Sequence, residues 1–533
     1  MSNRKQTGKA GAEKVVQGMQ TPNGIESVEA LPKHSLAKSA LVISAGGFIA
    51  KLIGAVYRVP LTNLIGAEAI GLYQMVFPLY CALLTLSSTG IPSATSRLIA
   101  HNKARPSVYF YRSVFLFGGI GLVGSVIMCV LGGFFAKLQG NAFAGRCYIA
   151  LSPSVFTVSV ISCIRGYFQG KGNMAPTAIS QIVEQAIKAA FGLTVCYIFR
   201  GDAATSALLA TLAVSVSEVT ALWYLYIRIQ MSVIKRERGA DKGVYRQILS
   251  LTVPVTLSAI ILPLGHVADS FIVVNTMAGY TVDATAIYGV YSGSVAAIIG
   301  LPVALAYGGA VACIPIISSG EKDRGIVDSM RFTGFVAIPF SLLLCLFAPQ
   351  CINFLYGGLP LAIKHQAIKI LTLDAVSVLL LSFLQTANAI LLSVGKQRLV
   401  AASMSGTLVL RVGLCAALTS SPQIGILGAV IAANLSYAVA LAINLAAALP
   451  RTVLTAVTLD VARCFVCGII CVVGGYFAFC RVEGRLWFAL AAAIMGCAYL
   501  ATALPFLFAD GRLSKLRLPL MFKKKNRTCG KQL

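Results

Sequence analysis

The chain has 533 residues, of which 57% are hydrophobic and only 12% charged, and its mean hydropathy is +0.81. These proportions exclude a soluble globular enzyme and point to an all-α polytopic membrane protein. A formal net charge of +26 would point to nucleic acid in a soluble protein. In a membrane chain, basic loops on the cytoplasmic side are the first explanation.

Residues 1–38 are polar and basic, with no apolar core or cleavage site ahead of the first span, and read as a disordered cytoplasmic tail rather than a signal peptide. About fourteen apolar stretches of membrane length follow, at 39–57, 72–97, 111–136, 148–168, 176–199, 205–229, 247–275, 286–317, 332–355, 367–394, 399–419, 424–449, 461–480 and 486–508. The loops between them are short, which leaves no room for an extramembrane catalytic domain.

With the N-terminus placed in the cytoplasm, most of the 44 Lys and Arg fall on that side. Arg58, Lys137, Arg146, Arg200, Lys364, Lys369, Arg481 and Arg485 fall outside, and Lys51, Lys188 and Arg411 are mid-span. The asymmetry supports an N-in, C-in protein of the cytoplasmic membrane. The terminal run Lys523, Lys524, Lys525 and Arg527 suits anionic lipid headgroups better than nucleic acid. The cysteines lie mostly within spans. Cys464, Cys467 and Cys471 share one face of span 13 and read as small packing residues rather than metal ligands.

Span 5 departs from the apolar pattern. Gln181, Glu184 and Lys188 fall within about 60° of arc on one helix face, and ionisable groups at that depth default to a functional role. The same turn-and-span pattern recurs later in the chain. Gly172 precedes Lys188 by the interval that separates Gly395 from Arg411, and Ile91-Pro92 and Ile314-Pro315 are displaced by the same offset. The repeat pairs spans 1–6 with 7–12, as two six-helix lobes facing a central cavity, with two extra C-terminal helices. The expected limits are 39–229 for the N-terminal lobe, 230–246 for a basic linker, 247–450 for the C-terminal lobe, 451–510 for spans 13–14 and 511–533 for a basic tail. Lys188 and Arg411 then lie about 18 Å into their spans, at about 1.5 Å per residue, on opposite walls of the cavity. The alternative for Lys188 is an i,i+4 pair with Glu184.

Lys51 and Arg58 share a face of span 1 and form a candidate basic track, with an interfacial anchor as the other reading of Arg58. Arg97 and Arg165 end their spans on the cytoplasmic side, as topology determinants or substrate contacts. His266 and Asp269 lie beside Pro263 in span 7, where a bent helix exposes backbone groups. They are candidates for Na⁺ or H⁺ coupling, or a buried pair holding the bend. Glu218 and Asp374 are further intramembrane acids. There is no phosphate-binding GxxxxGK[ST] loop, no HExxH and no serine or cysteine nucleophile motif, so no catalytic, cofactor or metal residues are assigned.

Three stretches carry a likeness: GLYQMVFPLYCALLTLSSTGIPSATSRLIA, RGYFQGKGNMAPTAISQIVEQ and LQTANAILLSVGKQRLVA. They resemble the stage V sporulation protein B branch of the polysaccharide biosynthesis and lipid II flippase family, within the multidrug/oligosaccharidyl-lipid/polysaccharide exporter superfamily. The resemblance implies fourteen helices in two six-helix lobes plus a C-terminal pair. It also implies transport of an undecaprenyl-pyrophosphate-linked sugar from inner to outer leaflet, for cell-wall or spore peptidoglycan, alongside cell-wall synthesis enzymes. In those flippases, bases of helices 1, 2 and 8 line the cavity. Lys51 matches the first, while span 2 has no mid-span base and span 8 has none at all. Lys188 and Arg411 would then supply the missing charge. The competing readings are a cation-coupled drug or metabolite exporter on the same scaffold, and a membrane-embedded glycosyl- or acyltransferase.

Overall fold

A computed structural model describes residues 33–88, 90–101, 105–199, 201–232, 243–314, 317, 321–479 and 485–508. Most of the expected N-terminal tail, the middle of the basic linker and the basic C-terminal tail lie outside the described residues. The first helix begins at Lys33 rather than at 39.

Among the described residues the secondary structure is helical throughout. In chain order the helices are α1 (Lys33–Ser88), α2 (Gly90–His101), α3 (Pro106–Leu138), α4 (Ala144–Gly170), α5 (Ala175–Ile198), α6 (Ala203–Gln230), α7 (Val244–Ala278) and α8 (Ala284–Gly289). A π-helical turn (Val290–Val295) follows, then α9 (Ala296–Ala312), α10 (Lys322–Leu346), α11 (Ala348–Leu355), α12 (Leu361–Ser393), α13 (Gln397–Thr419), α14 (Ile426–Ala448), α15 (Arg451–Phe479) and α16 (Arg485–Phe508). Gly66, at φ +81 and ψ 174, breaks α1 into the two segments expected as spans 1 and 2.

Among the described residues, 11 helices are long and apolar enough to cross a membrane, with Trp487–Ala503 a shorter apolar helix. The protein is a multi-pass membrane protein. The helix α5 is not among the eleven, and Gln181, Glu184, Gln185 and Lys188 in its sequence explain why.

Local chemistry sets the helix ends. Asp202 caps α6 by accepting from the Thr205 amide at 3.1 Å, which satisfies one of the orphan N–H groups of a helix start. Hydrogen bonding from the Thr205 side chain, and then from its amide, holds the exposed Asp202 carboxyl below its ordinary pKa. Gly172 (φ +76) and Gly395 (φ +80) close α4 and α12 with the same bonds. Asn173 N donates to Phe168 O and Lys396 N to Leu391 O, both at 2.9 Å. Each is a left-handed glycine stop, where a Cβ would be strained. The spacing noticed in the sequence therefore marks two equivalent turns.

Two six-helix lobes face each other. In the first, α3 packs on α4, α5 on α6, and α1 on α5. In the second, α12 and α13 pack on α14, and α10 on α12. Small residues allow close approach inside a lobe: a Cβ on Gly132 would sit 2.5 Å from Tyr148 Cβ. The appended α15 packs on α10 and on α16. A buried ion pair fastens α15 to α10, with Arg331 Nε donating to Asp460 Oδ2 at 2.8 Å.

Candidate functional site

A cavity of about 330 Å³ lies between the lobes. It is lined by Arg58, Gln74 and Phe77 of α1, His266 and Asp269 of α7, Tyr288 and Tyr291, Asp374 of α12, Arg411 of α13 and Tyr437 of α14. Its two walls treat charge differently.

On the second lobe, Arg411 is 4% and Asp269 3% exposed. The Arg411 guanidinium forms an ion pair with Asp269 and donates from Nη1 to the Tyr437 hydroxyl at 2.8 Å. It also lies 5.3 Å from the Tyr437 ring centroid. A buried charge is tolerable only with such partners. Arg411 thus reaches the cavity, but as half of a neutral pair. Asp269, expected beside His266, is bound to α13 instead. His266 stays exposed on the cavity wall. Asp374 accepts from the Ser377 hydroxyl, which also lies 2.6 Å from Asn434 Oδ1.

On the first lobe, Arg58 has no carboxylate partner among the described residues. Its Nη1 donates to the Gly293 carbonyl at 3.3 Å, and its guanidinium lies 5.6 Å from the Phe77 ring centroid. Arg58 also borders a smaller pocket of about 30 Å³, shared with Tyr57, Tyr73, Gln74 and Lys188. Lys188 likewise forms no ion pair among the described residues. The i,i+4 alternative with Glu184 does not form, because Arg165 of α4 takes that carboxylate at 3.1 Å and the Ser180 hydroxyl at 2.9 Å. Gln181 lies on the α1-facing side of α5, its Oε1 3.6 Å from where a Cβ on Gly47 would sit. That oxygen is buried without a hydrogen-bond partner among the described residues. Lys51 and Arg97 are exposed and line neither cavity. Glu218 is 2% exposed inside the first lobe, where it accepts from Tyr80 and from Thr157 at 3.4 Å.

Several lining groups escaped the sequence reading. Gln74 is one; a glutamine isolated in an apolar span was the available signal. The π-helical turn is another, and no composition announces it. Three successive carbonyls of that turn accept side-chain donors: Ser292 O from Gln74 at 2.5 Å, Gly293 O from Arg58, and Ser294 O from the Tyr356 hydroxyl at 3.2 Å.

The lobes touch at both ends of the cavity. At the Gly66 end, Asn63 Nδ2 donates to Leu355 O at 2.7 Å, while Gly358 N donates to Asn63 Oδ1 at 3.1 Å. A Cβ on Gly71 there would collide with the Thr285 carbonyl, and one on Gly289 with the Gly71 backbone. At the Gly90 end, a Cβ on Gly90 would lie 2.7 Å from Thr252 O, and Arg112 donates to the Tyr245 hydroxyl at 3.0 Å.

Two helical lobes enclosing a charged intramembrane cavity define a transporter-like membrane fold. Residues 36–321 match the family described as polysaccharide biosynthesis protein, and the chain belongs to that family. It is 29% identical to stage V sporulation protein B of Bacillus subtilis (strain 168) over 75% of this chain and 81% of that protein. It is 24% identical to the lipid II flippase MurJ of the same organism, over 75% and 80% of the two chains. Among solved structures it resembles the lipid II flippase MurJ in its inward closed conformation, with a TM-score of 0.72 and 14% identity over 88% of this chain and 99% of the other. An inward-facing multidrug resistance MATE transporter gives a TM-score of 0.62 at 18% identity, over 79% and 99%.

Proposed function

We propose that the protein is a flippase that moves an undecaprenyl-pyrophosphate-linked oligosaccharide, lipid II or a close analogue, from the inner to the outer leaflet by alternating access. The observation that carries this reading is the cavity between the lobes, with Arg58 and neighbouring Lys188 unpaired by any carboxylate among the described residues. A pyrophosphate cannot cross about 30 Å of hydrocarbon unaided, and two bases without an ion pair among the described residues provide counter-charge. An apolar groove of about 770 Å³ between α10, α12, α14 and α15, lined by Ile338, Leu380, Phe383 and Leu441 among others, supports the same reading, because a polyprenyl tail needs such a surface beside the cavity. Orientation by basic loops puts the Gly66 end outside and both termini in the cytoplasm of a bacterial cell. The named activity of the B. subtilis flippase relative agrees with this cargo.

One observation favours a second reading, a cation-coupled exporter: the cavity also holds Asp269, Asp374, His266 and three tyrosines. Leaflet accessibility of labelled lipid II in proteoliposomes, with and without Na⁺ and H⁺ gradients, separates the two. The flippase reading expects labelled lipid to reach the opposite leaflet, and Lys188→Ala and Arg58→Ala to stop it while the protein still inserts. Unimpaired flipping by the Lys188→Ala, Arg411→Ala double variant would remove both residues from the cargo site. Gradient-driven efflux of organic cations without lipid movement would favour the exporter.

A further inference from the structure

The π-helical turn Val290–Val295 both lines the cavities and accepts bonds across the lobe interface. A carbonyl oxygen has two lone pairs, so a turn can accept side-chain donors beyond its own backbone bonds. Here three consecutive carbonyls do so, and two of the donors, Gln74 and Arg58, come from α1 across the lobe interface. Gly293 makes this approach sterically feasible. A Cβ there would lie 2.7 Å from Ile70 Cγ2 and 3.2 Å from Gln74 Cγ.

Arg58 is the loose member. Its bond to Gly293 O is 3.3 Å long, it has no ion pair among the described residues, and it faces both the cavity and the pocket beside Lys188. A phosphate brings a full opposite charge and can accept two parallel guanidinium N–H bonds, whereas the Gly293 carbonyl is a neutral acceptor that takes one. An anion in the cavity therefore competes for the donor that now holds Gly293.

We propose that Gln74, Arg58 and the π-helical turn form a cargo-sensing latch. A phosphate-bearing anion draws Arg58 off the Gly293 carbonyl and so weakens lobe closure at the Gly66 end. Gln74 is a positioning residue that keeps the turn in register until then. The latch builds on the flippase reading for its natural cargo, but its physics requires only an anion. By linkage, whatever opens the Gly66 end must also strengthen anion binding at Arg58.

The test places spectroscopic labels on noncanonical amino acids at Phe143 and Leu361, both well exposed and on opposite lobes at the Gly66 end, and measures their separation in reconstituted protein. Inorganic pyrophosphate, the probe, is expected to shift the wild-type distribution toward the longer distance. Gln74→Met and Arg58→Met are each expected to raise the open-to-closed ratio about fivefold without any anion, the scale of one lost hydrogen bond. Arg58→Met is also expected to lose the pyrophosphate response. An unchanged wild-type distance with pyrophosphate overturns the latch, and this arm needs no variant to fold. Variants that stay closed without anion overturn it as well, leaving Arg58 a cargo ligand only. If the distances respond but labelled lipid II never crosses the bilayer, the latch stands and the flippase reading falls. Flipping without a distance response has the opposite meaning.

Discussion

Arg411 and Lys188 occupy equivalent places in the repeat yet have different chemistry around them. Arg411 is neutralised by Asp269, so removing it strands a buried carboxylate. Arg411→Ala is expected to cost about 3–5 kcal/mol of stability, read as a lower unfolding temperature in detergent. Adding Asp269→Asn should recover most of that loss. Lys188→Ala breaks no ion pair among the described residues and should melt close to wild type while losing anion binding. The equal spacing of Gly172–Lys188 and Gly395–Arg411 was legible in the sequence because a left-handed glycine and a mid-span base are both rare. The partner of Arg411 was not legible. Asp269 lies on another helix, and its own near neighbour His266 was the more obvious mate. Glu184 misled in the same way, since Arg165 reaches it from α4 while the i,i+4 rule points to Lys188. Periodicity says which residues share a face, whereas the facing helix decides which of them pair.

At the scale of elements, the Gly66 end depends on glycine. Gly71 and Gly289 abut without room for a methyl group, so Gly289→Ala should force the lobes apart there. Modification of a cysteine introduced at Tyr291 by a membrane-impermeant reagent should then become faster from the side of that end, and an unchanged rate would argue that the helices shift to absorb the methyl. The all-helical membrane-spanning character could be read from hydropathy, because long apolar runs have few alternatives in a bilayer. The polar stripe of α5 was readable as a departure from that rule. The π-helical turn was not, because the Ser292-Gly293-Ser294 run at its centre suits an ordinary helical turn equally well and the turn packs against α1.

For the whole molecule, the two lobes and the C-terminal pair were legible from the internal repeat and the family resemblance. The way α15 is attached was not, since Arg331 and Asp460 are far apart in sequence. Both are buried, and Arg463 adds a second contact to Asp460 at 3.4 Å. Asp460→Ala leaves Arg331 buried without this carboxylate and is expected to cost about 3–5 kcal/mol. Protease sensitivity of the α15–α16 segment should rise before the remainder of the chain unfolds, and a single cooperative loss would show that the pair is integral to the second lobe.

The unequal walls of the cavity have an electrical meaning. On the proposed flippase reading, with Arg411 paired to Asp269 and Arg58 without an ion pair among the described residues, an empty carrier that rocks between states moves positive charge through the transmembrane field, and a pyrophosphate cargo offsets that charge. The field is worth about 2.3 kcal/mol per charge per 100 mV, so an inside-negative voltage would speed the empty return and act less on the loaded stroke. A transient current recorded from a protein-loaded supported bilayer should therefore be larger without cargo than with it, and should shrink in Arg58→Met.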